Sequence, residues 1–177
     1  MSTTSLVVID FGANTLCLRR HWGGDPEIVG RQVLDQLASA KSMKPRSHMH
    51  TGSWLIRLLM AETDGGEEEL PLYEVDCYDE NVLGDWEFAY IFRALPVPVP
   101  ENGFYNDVGN QWTIGYVEGA DGEGLEVLEK SARWFSEEDF STFVDDEFEK
   151  GMAAGKVYDV QLRGAFVRKY NSGNKNK

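Results

Sequence analysis

The sequence predicts an α+β fold, with a mostly antiparallel sheet and about three helices. Three observations carry this expectation. Residues 86–95 and 157–167 alternate apolar and polar side chains with the period of a half-buried strand. Asp25-Pro26-Glu27, and Ser136 followed by Glu137, Glu138 and Asp139, read as helix starts. Two apolar runs near the N-terminus, split by Gly12-Ala13-Asn14, read as a β-hairpin.

Taken in order, Leu6–Ile9 and Leu16–Arg19 are the hairpin strands. Asp25 is placed to accept hydrogen bonds from the free N–H groups of a helix start. Pro26 suits the first helical position, where an N–H is unpaired anyway, and Glu27 faces the positive end of the helix dipole. Val29, Val33, Leu34 and Leu37 recur at helical spacing, which predicts a helix from Pro26 to Ala40, with Pro45 closing the next loop. A second helix is expected from Ser53 to Thr63, with Trp54, Leu55, Leu58 and Leu59 as its buried stripe and Gly65-Gly66 at its end. Leu72–Tyr78 reads as a strand with Tyr73, Val75 and Cys77 on one side. In the strand Trp86–Leu95, Trp86, Phe88, Tyr90 and Phe92 share a face. That row reads as core, since its acidic surroundings oppose base stacking. Asn81–Asp85 is the turn between these strands, and Pro96, Pro98 and Pro100 stop ladder pairing.

Gln111–Val117 is a further strand, and residues 119–124 form a Gly-rich acidic loop. From Ser136, the spacing of Phe140, Phe143, Val144 and Phe148 predicts a helix ending at Gly151. Its phenylalanines are expected inside and Glu137, Glu138, Asp145 and Asp146 outside. Tyr158, Val160, Leu162 and Phe166 make a final strand. Residues 1–170 are therefore expected to form a single domain, with 171–177 a disordered tail.

The chain has 177 residues, 42% of them apolar and 12% aromatic, which is enough to bury a core and excludes wholesale disorder. Its apolar runs are too short for a transmembrane helix. Met1-Ser2-Thr3-Thr4-Ser5 lacks the basic start and apolar stretch of a secretory signal. Two cysteines, Cys17 and Cys77, are too few for a disulfide framework, and the expectation is a cytoplasmic protein. A net charge of −13 disfavours direct binding to nucleic acid or anionic membranes. The charge is uneven. Residues 1–57 carry seven basic and four acidic side chains, residues 58–150 four basic and twenty-five acidic, and residues 151–177 six basic and one acidic. Between Arg57 and Arg93 there are eleven acidic residues and no Lys or Arg.

The residues capable of chemistry have structural readings of equal or greater economy. His21 with Asp25 and Glu27 is a possible acid–base or metal group, but Asp25 is accounted for as a cap and Glu27 as a first-turn charge. His48-Met49-His50 puts two imidazoles on one side if the segment is extended, with no third ligand. The loop at Gly119–Gly124 lacks the ligand order of a calcium cage and the Lys-Ser/Thr of a phosphate loop. No Gly-x-Ser-x-Gly is present. No metal and no cofactor are expected.

Thr4-Ser5-Leu6, then Arg20-His21-Trp22-Gly23-Gly24-Asp25-Pro26-Glu27 with Gly30 and Leu34, and later Trp86-Glu87-Phe88-Ala89-Tyr90-Ile91, follow one order along roughly residues 1–95. In this the chain resembles an uncharacterised family of small bacterial and phage proteins. That family has an N-terminal Thr-Arg-Ser-Leu strand, a Tyr-Arg-x-x-Asp-Gly-Tyr-Pro turn and an aromatic strand. The family Asp before Gly is Gly23 here, and the family Tyr before Pro is Asp25. The resemblance implies a phage or mobile-element origin and no particular activity.

Two functions follow as expectations. The first is a non-enzymatic acidic protein that binds a basic surface of a nucleic-acid-handling partner, as a DNA mimic or host-defence antagonist such as an anti-restriction or anti-CRISPR inhibitor does. Its binding residues are expected among Glu67, Glu68, Glu69, Glu74, Asp76, Asp79, Glu80, Glu137, Glu138, Asp145 and Asp146. Arg163, Arg168, Lys169, Lys175 and Lys177 form the one basic cluster, which suits offsetting the acidic middle of its own chain or, in a homodimer, that of a second copy. The alternative is a small enzyme with a pocket at the turn holding Arg20, His21, Asp25 and Glu27.

Overall fold

The computed structural model describes residues 3–11, 14–43, 48–65, 67–75, 86–95, 111–119 and 124–156. The chain runs β1 (Ser5–Asp10), β2 (Thr15–Arg20), α1 (Pro26–Ser42), α2 (His48–Met60), β3 (Tyr73–Val75), β4 (Phe88–Ala94), β5 (Trp112–Glu118), α3 (Leu125–Ser131), β6 (Arg133–Ser136) and α4 (Glu137–Ala153). The strands form one six-stranded sheet in the order β3-β2-β1-β4-β5-β6. All neighbours are antiparallel except β1 and β4. The parallel pair follows from the long return between them, which carries α1 and α2; parallel strands need such a crossover. The α+β class and the mostly antiparallel sheet stand as expected, with four helices rather than three.

The two sheet faces differ in what they bury. Val7, Ile9, Leu18, Tyr73, Tyr90, Phe92, Trp112, Ile114 and Phe135 pack against Val29, Val33 and Leu37 of α1, Leu55 and Leu59 of α2, and Phe140 and Val144 of α4. On the opposite face Leu6, Val8, Cys17, Ala89, Ile91 and Val117 cluster with Leu128 of α3. Trp86 belongs to this second cluster. It precedes the first ladder residue of β4, so the alternation that aligns Phe88, Tyr90 and Phe92 does not extend back to it.

Across the helical layer α1 packs against α2 on one flank and α4 on the other. The contact with α4 is close because position 30 has no side chain. A Cβ there would lie 2.6 Å from Val144 Cγ2 and 3.2 Å from the Phe140 ring. Gly30→Ala gains up to about 1 kcal/mol of helix propensity but must displace buried, ring-locked neighbours, a strain of about 1–3 kcal/mol. The expected result is a lowered Tm in thermal denaturation; an unchanged or raised Tm contradicts the tight α1–α4 contact.

Several boundaries and faces move relative to the sequence expectation. α1 runs two residues beyond Ala40. α2 begins at His48 rather than Ser53 and ends at Met60 rather than Thr63. Its buried side includes Thr51 and Leu55, and Gly52 sits so close to Phe11 that a Cβ would meet the ring at 2.8 Å. Packing thus draws a helix-weakening glycine into the first turns of the helix. Trp54, expected in the buried stripe, is 40% exposed, and Val75 is exposed at the sheet edge. α4 continues past Gly151 to Ala153, and Gly155 with φ 80° lies beyond its end. Phe140 is fully buried, while Phe143 and Phe148 are half-buried. α3 and β6 have no counterpart in the expected elements. Cys77, the turn at 81–85, the proline run 96–100, the final strand at 158–166 and the tail lie outside the described residues.

Candidate functional site

The turn before α1 is built from groups distant in sequence. Asp25 occupies the N-cap position with extended backbone, and its carbonyl accepts from the amides of Ile28 (3.0 Å) and Val29 (2.9 Å). Its carboxylate makes no capping bond, which corrects the expectation from sequence. It accepts instead from Thr3 Oγ1 at 2.9 Å, and Thr3 Oγ1 in turn accepts from the Gly24 amide at 2.8 Å. A hydroxyl on the strand entry competes for the carboxylate that the helix amides would otherwise hold.

Glu27 is 2% exposed, a burial that a lone carboxylate does not tolerate. Lys156, just beyond the end of α4, supplies the counter-charge. Its Nζ lies 2.9 Å from Glu27 Oε1 and 3.3 Å from Asp25 Oδ1. The Lys156 amide donates to the Gly151 carbonyl at 2.9 Å, so the wrapped end of α4 positions the ammonium. Below this pair the buried Tyr90 hydroxyl donates to the Gly24 carbonyl at 2.7 Å.

Arg20 is also buried, and it points elsewhere. Its Nε donates to the Trp22 carbonyl at 2.6 Å, its Nη1 donates to Gln32, and its guanidinium lies 5.1 Å from the centre of the Tyr73 ring. His21 Nε2 meets Glu74 Oε2 at 3.0 Å on the β3 edge. The four residues of the expected pocket therefore divide among separate partners: Arg20 inward to Gln32 and Tyr73, His21 outward to Glu74, Asp25 and Glu27 to Lys156. Each contact ties one element to another. Among the described residues no group of three or more His, Cys, Asp or Glu side chains is placed to hold a metal ion. The side chains of His48 and Met49 lie outside the described set.

This network has an alkaline limit. Burial pushes the Tyr90 hydroxyl well above the ordinary tyrosine range, and the neighbouring Tyr116, Asp25 and Glu27 push it further. Burial likewise raises Tyr73 and Tyr116. The hydrogen bond to Glu27 raises Lys156. Each group binds its proton more tightly folded than unfolded, so its contribution is complete below the unfolded value and lost as pH rises through the folded one. Stability is expected to hold at neutral pH and to fall steeply above about pH 10. Chemical denaturation between pH 8 and 12 checks this; stability that is level to pH 12 contradicts it.

The acidic residues sort into those with internal partners and those without. Glu137 receives both its contacts from Lys41, at 2.5 and 2.7 Å, and Asp145 pairs with Arg31. These pairs tie α4 to α1. Arg93 serves both Asp10 (2.8 Å) and Glu129. Glu62 accepts from Gln36. Glu138 and Asp146 are exposed on α4, and Glu74 is shared with His21. Asp76, Asp79 and Glu80 lie outside the described residues.

Glu67, Glu68 and Glu69 are exposed and, like Glu138 and Asp146, enter no ion pair among the described residues; what sets them apart is that they stand three in a row in one turn. The turn that carries them is closed at its base. Asp64 N donates to the Leu70 carbonyl at 2.9 Å, Leu72 N to the Glu62 carbonyl at 2.9 Å, and Leu70 N to Asp64 Oδ1 at 3.1 Å. Glu69 takes a left-handed φ of 46°, uncommon for a residue with a side chain. This turn connects α2 to β3 and α4 lies beyond α1, so the two expected acidic patches sit on opposite flanks of the helical layer. Residues that sequence reasoning did not single out are Thr3 and Lys156, whose partners lie 22 and 129 positions away.

No family model, curated protein or solved structure matches this chain. No helix among the described residues is long and apolar enough to cross a membrane.

Proposed function

We propose that this chain is a non-enzymatic, acidic binding protein whose closed turn at Glu67, Glu68 and Glu69, with Glu74 on the adjoining edge strand, meets a basic surface of a partner protein. The carrying observation is the sorting of charge. Glu137, Asp145, Asp10, Glu129 and Glu27 are matched by Lys41, Arg31, Arg93 or Lys156, whereas Glu67, Glu68 and Glu69 stand three in a row in a hydrogen-bonded turn with no counter-charge among the described residues. Solubility alone is met by fewer charges of mixed sign. Glu138 and Asp146 on the far flank extend the acidic field, which steers a cationic partner toward the molecule, while Glu137 and Asp145 hold α4 in place.

The partner class is a protein with an exposed basic groove, as nucleic-acid-handling enzymes have, and the setting is the cytoplasm of a cell that carries the gene on a phage or mobile element. No cofactor, metal or direct contact with nucleic acid takes part. The turn at Arg20 to Glu27 serves as a structural knot. Affinity capture from a bacterial lysate at low and at high salt tests this: a basic protein held at about 50 mM salt and released by about 500 mM is expected, since surface charge pairs are screened over a few ångströms at the higher value. Capture that is insensitive to salt contradicts it.

A further inference from the structure

The outward flank of α2 beside the acidic turn carries two large exposed apolar side chains, with Ser53 and Arg57 between them, and the only helix packing extensively against α2 among the described residues is α1, on its other flank. Trp54 and Met60 on α2 and Leu70 in the turn are 40%, 37% and 43% exposed. Burial of Leu55 and Leu59 fixes the inward side of the helix, so Trp54, Arg57 and Met60 fall on the outward side. Arg57 stands between Trp54 and Met60, exposed and charged, with its guanidinium 5.3 Å from the centre of the Trp54 ring, so its stem and the ring cover one another. The hydrogen bond from Asp64 N to the Leu70 carbonyl brings Leu70 back toward the end of α2, next to Glu67, Glu68 and Glu69. The result is an apolar strip with a large aromatic side chain at one end and a carboxylate rim at the other.

We infer that this strip is a docking surface for a basic amphipathic helix of a partner protein, one whose apolar stripe covers Trp54, Met60 and Leu70 and whose lysines or arginines meet Glu67, Glu68 and Glu69. The inference rests on the acidic-binding reading and adds the apolar contact and the shape of the occupant. A helix is the fitting occupant because α2 is itself a helix of 13 residues, about 20 Å long, along which a second helix packs by ridges and grooves. Charge disfavours the simplest competitor. A second copy carries the same net charge of −13, and docked in parallel through the same face it brings Glu67, Glu68 and Glu69 toward their own counterparts, where like charges repel. An aromatic contact beside a charged rim is also the division between contact energy and steering found in specific interfaces.

Two synthetic peptides of equal charge separate the apolar contact from the charge. One is a helical peptide with a leucine stripe and lysines elsewhere; the other replaces each leucine by serine. Titration of the full chain by calorimetry at low salt is expected to give at least tenfold tighter binding for the leucine peptide. Trp54→Ser with Leu70→Ser is expected to remove that advantage while both peptides keep their charge-driven binding. Both side chains are exposed, so the double variant should retain the wild-type Tm; Met60→Ser is the independent check on the same strip. Equal affinities for the two peptides overturn the docking inference and leave the acidic surface standing. Absence of binding by either peptide overturns both readings. A dimer in sedimentation that Trp54→Ser dissociates overturns the assignment of the strip to a partner.

Discussion

Phe140→Ala is expected to cost about 3–5 kcal/mol of folding stability, the usual loss for truncating a buried phenylalanine. Phe140 has no exposed surface and stands at the centre of a ring cluster. Its centroid lies 5.6 Å from Phe135, 5.9 Å from Phe143, 6.0 Å from Phe92 and 6.4 Å from Tyr90. Three of these contacts join α4 to strands β4 and β6. Edge-to-face geometry with Tyr90, Phe92 and Phe135 adds specific ring–ring attraction to the area buried. The cavity cannot close easily, because the same ring also meets α1 at Gly30. Against a total stability of 5–15 kcal/mol typical of such domains, a loss of this size removes a large share. Urea denaturation of both proteins checks it through the midpoint; a loss below about 1 kcal/mol contradicts the central place given to this ring. Phe143→Ala, at a half-buried position, is expected to cost less.

The features legible in the sequence are those that local chemistry determines. Asp25-Pro26 marks the start of α1 because proline at the first helical position needs no partner, and the helix begins at Pro26 as expected. Ser136 reads as a cap and is one: its hydroxyl accepts from the Asp139 amide at 3.1 Å. Cys17 reads as core and is 2% exposed. What local chemistry does not determine was not legible. Asp25 has the right residue type for a cap, yet Thr3 takes its carboxylate from 22 positions away. Lys156 neutralises Glu27 across 129 positions, and nothing in either neighbourhood announces the pair. α3 and β6, of seven and four residues, are too short to show a period. Trp54 shares helical spacing with Leu55, Leu58 and Leu59, which reads as one buried stripe; Phe11 against Gly52 sets a different inward side. The acidic run was visible as composition, but its division was not. Only the fold separates Glu137 and Asp145, paired to α1, from Glu67, Glu68 and Glu69.

The second large effect is on binding. Reversing Glu67, Glu68 and Glu69 together to lysine replaces three exposed carboxylates by three ammonium groups at the tip of a turn whose base bonds involve none of these side chains. Exposed charges contribute little to stability, so the Tm is expected to stay within a few degrees of wild type. Binding of a basic partner changes from attraction to repulsion. Steering of this kind acts chiefly on association, with rates at low salt that exceed the unsteered value by tenfold or more. Single reversals remove only part of the field and are expected to have small effects.

The most direct test of the acidic binding surface is therefore the association rate of the lysate-captured partner with wild type and with the Glu67→Lys, Glu68→Lys, Glu69→Lys variant, measured by stopped flow at about 20 mM and about 300 mM salt. The expected result is an association rate at least tenfold slower for the variant at low salt, converging with wild type at high salt where charges are screened. Equal rates and equal affinity at low salt would contradict the account and leave these three carboxylates as solvated surface.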